Sequence, residues 1–321
     1  MLRTALILAS AYAISAASLP LEDCSSVPVH LAVQPKCGTL GGAPGDLNAG
    51  LRTLGRGSFK SIVAFGDAYT DGGAHGGAPL KPAVLTPPNP EAGGRASNGN
   101  VYVENLAKLT GATLYDFAEN GAVTDTRLWP NAQLSGATDF VNQAHNYIGQ
   151  RKGLDSDSTL YTIFFGMGDF DLSLQKSDTA DKDLYTVAGD IIYTLLELVS
   201  YPTYAKNVLL IDNYGRGTSS EAGEKFKAGV FTGLNTMRTK YGINFGYVDL
   251  KTIWDGVLGD SPGFEAFGYT SIGPCLKDSS TTEGACSSPD TTFYWFPNTP
   301  SRATHCLIGQ FITKALDQCQ A

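Results

Sequence analysis

Short apolar runs alternate with segments of helical period along most of this chain, and that alternation constrains the fold most. The runs have the length and composition of strands in a sheet that is covered on both faces. The strand candidates are Ser61 to Phe65, Thr113 to Phe117, Leu160 to Phe165, Asn207 to Ile211 and Phe245 to Val248. The helix candidates are Asn100 to Lys108, Leu184 to Val199, Glu224 to Thr239 and Thr304 to Gln318. This order predicts an α/β fold with a doubly wound, mainly parallel sheet of about five strands.

The chain of 321 residues is long enough for one large domain with a buried core. Residues 1–17 have the basic start, short apolar stretch and small-residue end of a signal peptide. Residues 18–58 are rich in Gly, Pro, Leu and Ser without a period, and we interpret them as an irregular N-terminal extension. The domain then covers residues 59–321. No later segment reaches the ~18 apolar residues of a membrane span, so we expect a secreted, extracellular protein.

Charge and residue spacing argue against several classes of function. The formal net charge is −8, and Lys and Arg are scattered, which disfavours binding to nucleic acid or anionic lipid. The sequence has no H-x-H, C-x-x-C or H-E-x-x-H spacing and no phosphate-binding or dinucleotide-binding fingerprint. We therefore predict no metal, no cofactor and a monomeric protein.

Six cysteines follow the predicted signal peptide, namely Cys24, Cys37, Cys275, Cys286, Cys306 and Cys319. An oxidising compartment makes three disulfides the expectation. Cys306 and Cys319 lie along one predicted helix, which at ~1.5 Å rise per residue separates them too far for a bond. We expect Cys275 to pair with Cys286, and Cys24 and Cys37 to be tied to the last helix, with the partner of each left open.

The sequence FGDAYTDGG, residues 65–73, follows the first predicted strand directly. Many hydrolases present a nucleophile at this place, at the carboxyl end of a strand. The residue presented here is Ala68, whose methyl group can neither attack a carbonyl carbon nor be activated by a base.

Five blocks extend this pattern along the chain. They are VAFGDAYTDGG (63–73), GGRASNGNVYVENLAKLTG (93–111), FAENGA (117–122), LYTIFFGMGDFDL (160–172) and FYWFPNTPSRATHCLIG (293–309). In order and spacing they resemble the GDSL or SGNH hydrolases, especially the fungal-type acetyl esterases of carbohydrate esterase family 16. The resemblance covers residues 60 to 316 approximately, and it implies the SGNH-hydrolase-like (flavodoxin-like) three-layer α/β/α sandwich.

The resemblance also implies a set of catalytic positions. The family has a Ser nucleophile in G-D-S, an oxyanion hole that includes a glycine and the Asn of G-x-N-D, and a D-x-x-H pair near the C-terminus. Matched residue by residue, the nucleophile position is Ala68, the glycine is Gly121 and the oxyanion Asn is replaced by Gly168. The last block aligns with the family pattern without gaps at Trp295, Pro300, Ser301 and His305. In this alignment the triad Asp falls on Phe296 and the triad His on Thr299.

Loss of a nucleophile or histidine in a serine hydrolase costs on the order of 10⁶ in kcat, and loss of an oxyanion donor roughly 10²–10³. The ordinary mechanism is therefore absent, and we predict a pseudo-esterase that binds an acylated glycan or small ester, or acts as an interaction module. The alternative is a hydrolase of acetylated polysaccharide or lipid-like esters that uses other residues.

Four histidines are present, and a replacement pair of Thr70 and His75 is conceivable. Each other candidate also has a plain structural interpretation. Asp67 could be a base or a hydrogen-bonding residue of the strand-to-helix turn, where Thr70 would begin the helix. Asp169 could line the site or be a satisfied loop carboxylate, and we expect His305 to be structural.

An emptied site would be less polar and more aromatic. Tyr69, Tyr294, Trp295 and Phe296 could stack on sugar rings or acyl chains, which with Asp67 and Asp169 gives the predicted binding residues. The other interpretation is that Phe296 fills the vacated pocket and nothing binds there.

Overall fold

The structure is a computed structural model that describes residues 24–319, apart from 43, 46, 52–53, 55–58 and 176–179. The predicted signal peptide lies outside the described residues. In the described part, seven strands form the main sheet in the order β1-β2-β7-β6-β5-β3-β4. Their bounds are β1 Cys37–Gly38, β2 Asn48–Ala49, β3 Ser61–Gly66, β4 Thr113–Asp116, β5 Thr159–Phe164, β6 Asn207–Asp212 and β7 Asn244–Asp249.

The five predicted strands are confirmed as β3 to β7, and they pair in parallel with one another. The N-terminal extension contains two short strands. Its strands β1 and β2 pair in parallel, and β2 joins β7 in antiparallel fashion through Ala49 and Tyr247. A two-residue strand is too short to show an alternating pattern in sequence.

Seven α-helices occur in the described residues: α1 Tyr102–Thr110, α2 Phe140–Gln150, α3 Met167–Leu174, α4 Ala180–Val199, α5 Glu221–Tyr241, α6 Lys251–Leu258 and α7 Arg302–Gln318. The four predicted helices correspond to α1, α4, α5 and α7. The helices α2, α3 and α6, which are short, were not predicted. The sequence does contain an N-cap residue for α2, Asp139. Its side chain accepts the N–H of Asn142 at 2.9 Å.

The sheet is covered on both faces, as predicted for a three-layer sandwich. Alternation along β3 places Ile62 in one core with α1, α6 and α7, and Val63 in the other core with α2, α4 and α5. Because parallel strands end at a common edge, the loops after β3, β4, β5 and β6 meet at the carboxyl edge of the sheet.

A small second sheet lies beside α7. Its strands are β8 Ser271–Pro274, β9 Thr292–Phe296 and β10 Thr299–Pro300, with β9 in the middle. The disulfides agree with the expectation, since Cys275 bonds Cys286, Cys24 bonds Cys306 and Cys37 bonds Cys319. The N-terminal extension is thus tied at two points to α7, and the small sheet carries the local disulfide.

Candidate active site

A tight turn follows β3 and presents Ala68 at the carboxyl edge. The carbonyl of Asp67 accepts the N–H groups of Thr70 and Asp71, both at 2.9 Å. The Asp67 carboxylate accepts the N–H of Tyr69 at 3.0 Å, so Asp67 is a hydrogen-bonding residue of this turn. The expectation that Thr70 begins a helix is wrong, because Thr70 is part of a turn. Asp67 accepts the N–H groups of this turn.

The half-buried methyl group of Ala68 packs against an apolar cluster that contains Trp295 and Phe296. The other buried members are Ala96, Cys275 and Leu276. The structure therefore places Ala68 against the cluster that contains Phe296. Both positions are occupied by hydrocarbon side chains, and neither can exchange a proton.

A hairpin occupies the place of the D-x-x-H pair. Thr299 on β10 pairs opposite Phe296 on β9, and Pro297 and Asn298 form the turn between them. Asn298 has φ of 61°, a left-handed conformation that Asn tolerates at the third position of a type II turn. The Tyr69 hydroxyl donates to the Asn298 carbonyl at 2.5 Å, which ties this hairpin to the turn that carries Ala68. Thr299 contributes no imidazole.

The two oxyanion positions, Gly121 and Gly168, differ in whether the structure has space for a Cβ. Gly121 is exposed with φ of 85°, and a Cβ there would lie 2.4 Å from the Ser135 hydroxyl, so a side chain is excluded. Gly168 lies in the first turn of α3, where a Cβ would make ordinary contacts with Val123 and Ala122 at 3.4 and 3.5 Å. The structure therefore has room for a Cβ at Gly168.

Asp169 is fully buried beneath the loop that follows Gly121. Its carboxylate accepts the Thr124 N–H at 3.0 Å, the Thr124 hydroxyl at 2.9 Å and the Trp129 indole N–H at 2.8 Å. Burial raises its pKa to about 6, against the lowering effect of these donors. This geometry agrees with the plain interpretation of Asp169 as a satisfied loop carboxylate.

Asp67 is the buried carboxyl next to Ala68. Burial raises its pKa to about 7, while the hydrogen bond from Tyr69 and the nearby Arg216 guanidinium act in the opposite direction. Arg216 follows β6 and pairs with Asp171 at 2.5 Å. Arg216 was not among the predicted site residues, although its place in a loop after a predicted strand was a usable signal.

His305 does not supply a replacement base. His305 is completely buried on α7, its Nδ1 accepts the Tyr102 N–H at 3.2 Å, and burial lowers its pKa to about 3. It is a neutral core residue, as expected.

The proposed replacement pair is not formed either. The fully buried Thr70 hydroxyl lies 3.4 Å from the Tyr102 hydroxyl. The His75 side chain is 57% exposed, and its ring nitrogens face Asp71 at 3.6 Å and Glu119 at 3.9 Å.

The aromatic candidates are more buried than a sugar-stacking site requires. The Trp295 indole donates to the Pro90 carbonyl at 2.8 Å, and the Tyr294 hydroxyl accepts from Trp254 at 2.9 Å. Trp295, Tyr294, Tyr69 and Phe296 are all buried. These rings pack in the protein interior, which supports the interpretation that Phe296 fills the vacated pocket.

Comparison with known proteins agrees with this architecture. The model of the GDSL-like lipase/acylhydrolase family matches residues 62–298. The chain belongs to this family. The match spans β3 through the Pro297–Asn298 turn, so it includes all the catalytic positions discussed above except Thr299.

Two curated relatives are also similar. An acetylesterase from Hypocrea jecorina is 28% identical over 168 residues, which is 48% of this chain and 48% of the relative. A thermolabile hemolysin from Vibrio parahaemolyticus is 26% identical over 281 residues, or 78% of this chain and 62% of the relative. The chain thus spans only about half to three-fifths of the length of these relatives.

Among solved structures, a catalytic mutant of an acetylxylan esterase from Geobacillus stearothermophilus is 14% identical, with a TM-score of 0.43 over 82% of this chain and 96% of that one.

No helix in the described part of this chain is long and apolar enough to cross a membrane. The described residues also contain no group of three or more His, Cys, Asp or Glu side chains arranged for a metal ion.

Proposed function

We propose that this member of the GDSL family is a pseudo-esterase, a protein without ester-hydrolysing activity that binds a glycan or ester or acts as an interaction module. The observation that carries the proposal is the contact of Ala68 with the cluster that contains Phe296. The residues at the nucleophile and acid positions, Ala68 and Phe296, both have hydrocarbon side chains and belong to the same cluster. Thr299 and Gly168 remove the base and one oxyanion donor as well.

The three disulfides support an exported protein, because such bonds persist in oxidising compartments. The ligand class is proposed from the relatives, one of which is named an acetylesterase. An acylated glycan or a small ester is therefore the first ligand to test at the edge that carries Ala68.

The test is hydrolysis of p-nitrophenyl acetate and acetylated xylan by the purified full chain, together with labelling by a fluorophosphonate probe. We expect neither turnover nor a covalent adduct. A matched variant, Asp67→Asn, controls for a water activated by the buried Asp67 carboxyl, the remaining group next to Ala68 whose pKa of about 7 suits a base.

Turnover that persists through repurification and disappears in Asp67→Asn would establish a hydrolase with a non-standard base, and the pseudo-esterase proposal would be wrong. Labelling at any hydroxyl near Ala68 would have the same consequence. A thermal-shift screen with acetylated xylan oligosaccharides then separates a binding protein from an inert scaffold, since a ligand that binds the folded state raises its Tm.

A further inference from the structure

A lysine and two aspartates lie together in the interior between α5 and the main sheet. The side chains of Lys227 and Asp249 are 1% and 0% exposed, and the Lys227 ammonium contacts Oδ2 of Asp249 directly. Asp212 is buried as well. The sheet register places Asp212 of β6 directly beside Asp249 of β7, so both carboxyls project from the same face of the sheet. One amine and two carboxyls thus share a buried cluster.

The Asp249 carboxyl is held in a fixed orientation. Its Oδ1 accepts the backbone N–H of Lys251 at 2.9 Å, while its Oδ2 faces Lys227. The carboxyl carbon of Asp249 is therefore one bond away from the oxygen that the amine contacts. Negative charge would develop on the carboxyl oxygens if the amine attacked this carbon, and a backbone N–H that already donates to one of them stabilises such charge.

The charged groups next to the cluster do not enter it. Glu224, one turn before Lys227 on α5, is exposed to solvent. The Lys251 ammonium pairs with Asp255 at 2.5 Å. Tyr247 lies in the interior beside the two aspartates, and burial raises the pKa of its hydroxyl well above the usual value, so this group is neutral. The amine and the two carboxyls therefore exchange protons chiefly with one another.

Proton transfer inside the cluster can produce a neutral amine. Burial raises the pKa of Asp212 and also that of Asp249, the latter to about 7. Burial disfavours the Lys227 ammonium, but the carboxylates of Asp249 and Asp212 favour it, and the net effect raises the Lys227 pKa. The ion pair is thus the resting state. Transfer of the ammonium proton to a carboxylate leaves neutral groups, which an apolar interior accepts at low cost, and the neutral amine is a nucleophile.

We propose that Lys227 and Asp249 form an intramolecular isopeptide bond, with Asp212 as the proton carrier. The Lys227 nitrogen bonds to the side-chain carbon of Asp249, the bond from this carbon to one carboxyl oxygen breaks, and that oxygen leaves as water. Asp212 accepts the proton from the nitrogen and gives it to the leaving oxygen. The step is a condensation, so it needs no oxidant. The bond joins residues 22 positions apart and links α5 to β7 in a way that reducing agents do not reverse.

The test is peptide mapping of the full chain after denaturation, reduction and digestion with trypsin. An unlinked chain is cleaved after Lys227 and gives separate peptides 228–238 and 241–251. The linked chain is not cleaved there, and we expect one branched peptide of residues 226–238 and 241–251 whose mass is the sum of both less one water. Fragment ions of both sequences in this one species distinguish the bond from loss of water within a single peptide.

Two controls accompany the map. Lys206 and Asp157 pair at 2.7 Å with side chains 48% and 74% exposed, and we expect no bond between them because water solvates both charges. The variant Asp212→Asn keeps the size of the side chain but cannot carry the proton, so it should lose the branched peptide. Its Tm is measured alongside to show that it folds.

The unmodified protein decides the proposal even if the variant does not fold. Recovery of peptides 228–238 and 241–251 only in unlinked form would overturn the isopeptide bond. An undiminished branched peptide in Asp212→Asn would overturn the role of Asp212 as the proton carrier. A bond between Lys206 and Asp157 would show that linkage arises during handling of the sample, and it would also count against the proposal.

Discussion

The buried carboxyl of Asp67 provides a quantitative test of how apolar the surroundings of Ala68 are. Its pKa is raised from 3.8 to about 7, with burial as the largest cause. Asp67→Asn keeps the size of the side chain and the oxygen that accepts the Tyr69 N–H, and it removes only the ability to ionise. The difference in stability between the two proteins therefore isolates the ionisation of Asp67.

The sign follows from the two pKa values. Well below pH 3.8 the carboxyl is protonated in both folded and unfolded states, and the pH dependence of the two proteins is alike. Between pH 3.8 and about 7 the unfolded chain releases this proton and the folded protein retains it, so stability falls by about 1.4 kcal/mol per pH unit. Above pH 7 the loss is constant. From about pH 4.5 to 8 the unmodified protein should thus lose up to about 3 kcal/mol relative to Asp67→Asn.

Urea unfolding of both proteins at about pH 4.5, 6 and 8 measures this difference. The other buried carboxyls are common to both proteins and cancel in the comparison. Asp260→Asn, at an exposed position, is the matched control and should change the free energy of unfolding by no more than about 0.5 kcal/mol at any pH. A constant difference between Asp67→Asn and the unmodified protein over this range would refute the reasoning, because it would mean that Asp67 is well solvated.

Two further predictions concern the groups that stabilise the scaffold. Lys227 is buried against Asp249, whose pKa is raised to about 7 chiefly by burial. We expect Lys227→Met to lower the free energy of unfolding by about 3–5 kcal/mol. The loss should be larger at pH 8 than at pH 5, because Lys227 lowers the pKa of Asp249 and without it the ionisation of this buried carboxyl costs more. Lys227→Met/Asp249→Asn should recover part of the loss in urea unfolding, and the same loss at both pH values would contradict this prediction. The disulfide Cys24–Cys306 links residues 282 positions apart, and Cys275–Cys286 links residues 11 apart. Removing a disulfide typically lowers the free energy of unfolding by roughly 2–5 kcal/mol, and we expect Cys24→Ala/Cys306→Ala to lose more than Cys275→Ala/Cys286→Ala because its loop is longer. The reverse order in thermal unfolding would exclude an effect of loop length.

The fold was predictable in its central part for a physical reason. Strands buried on both faces must be apolar throughout, and the runs from Ser61, Leu160 and Asn207 show this directly. The strands β1 and β2 could not be found this way, because two residues carry no period. The helices α3 and α6 have eight residues each, so each offers little more than two turns of pattern against the residues that flank it.

The candidate site was predictable in position but not in exposure. The order of the sequence blocks assigned Ala68 and Phe296 to one site, and the structure places Ala68 against the cluster that contains Phe296. The same blocks do not show whether an aromatic side chain is buried or exposed. Trp295 was expected to be a stacking surface, and the structure buries it with its indole N–H donated to Pro90, a contact between residues 205 positions apart that no local pattern encodes.

The four altered positions are physically consistent with one another. A buried polar group costs free energy unless it is hydrogen-bonded, about 1–3 kcal/mol when it loses its partner. An aspartate in place of Phe296 without a partnering histidine would leave such a group inside the apolar cluster. Removing all of them together and filling the space with Phe296 avoids this cost. Ala68 and Phe296 thus belong to one apolar packing cluster. The single change Ala68→Ser should accordingly yield no hydrolysis of p-nitrophenyl acetate, because neither base nor orienting acid would be present, and turnover by that variant would contradict this account of the site.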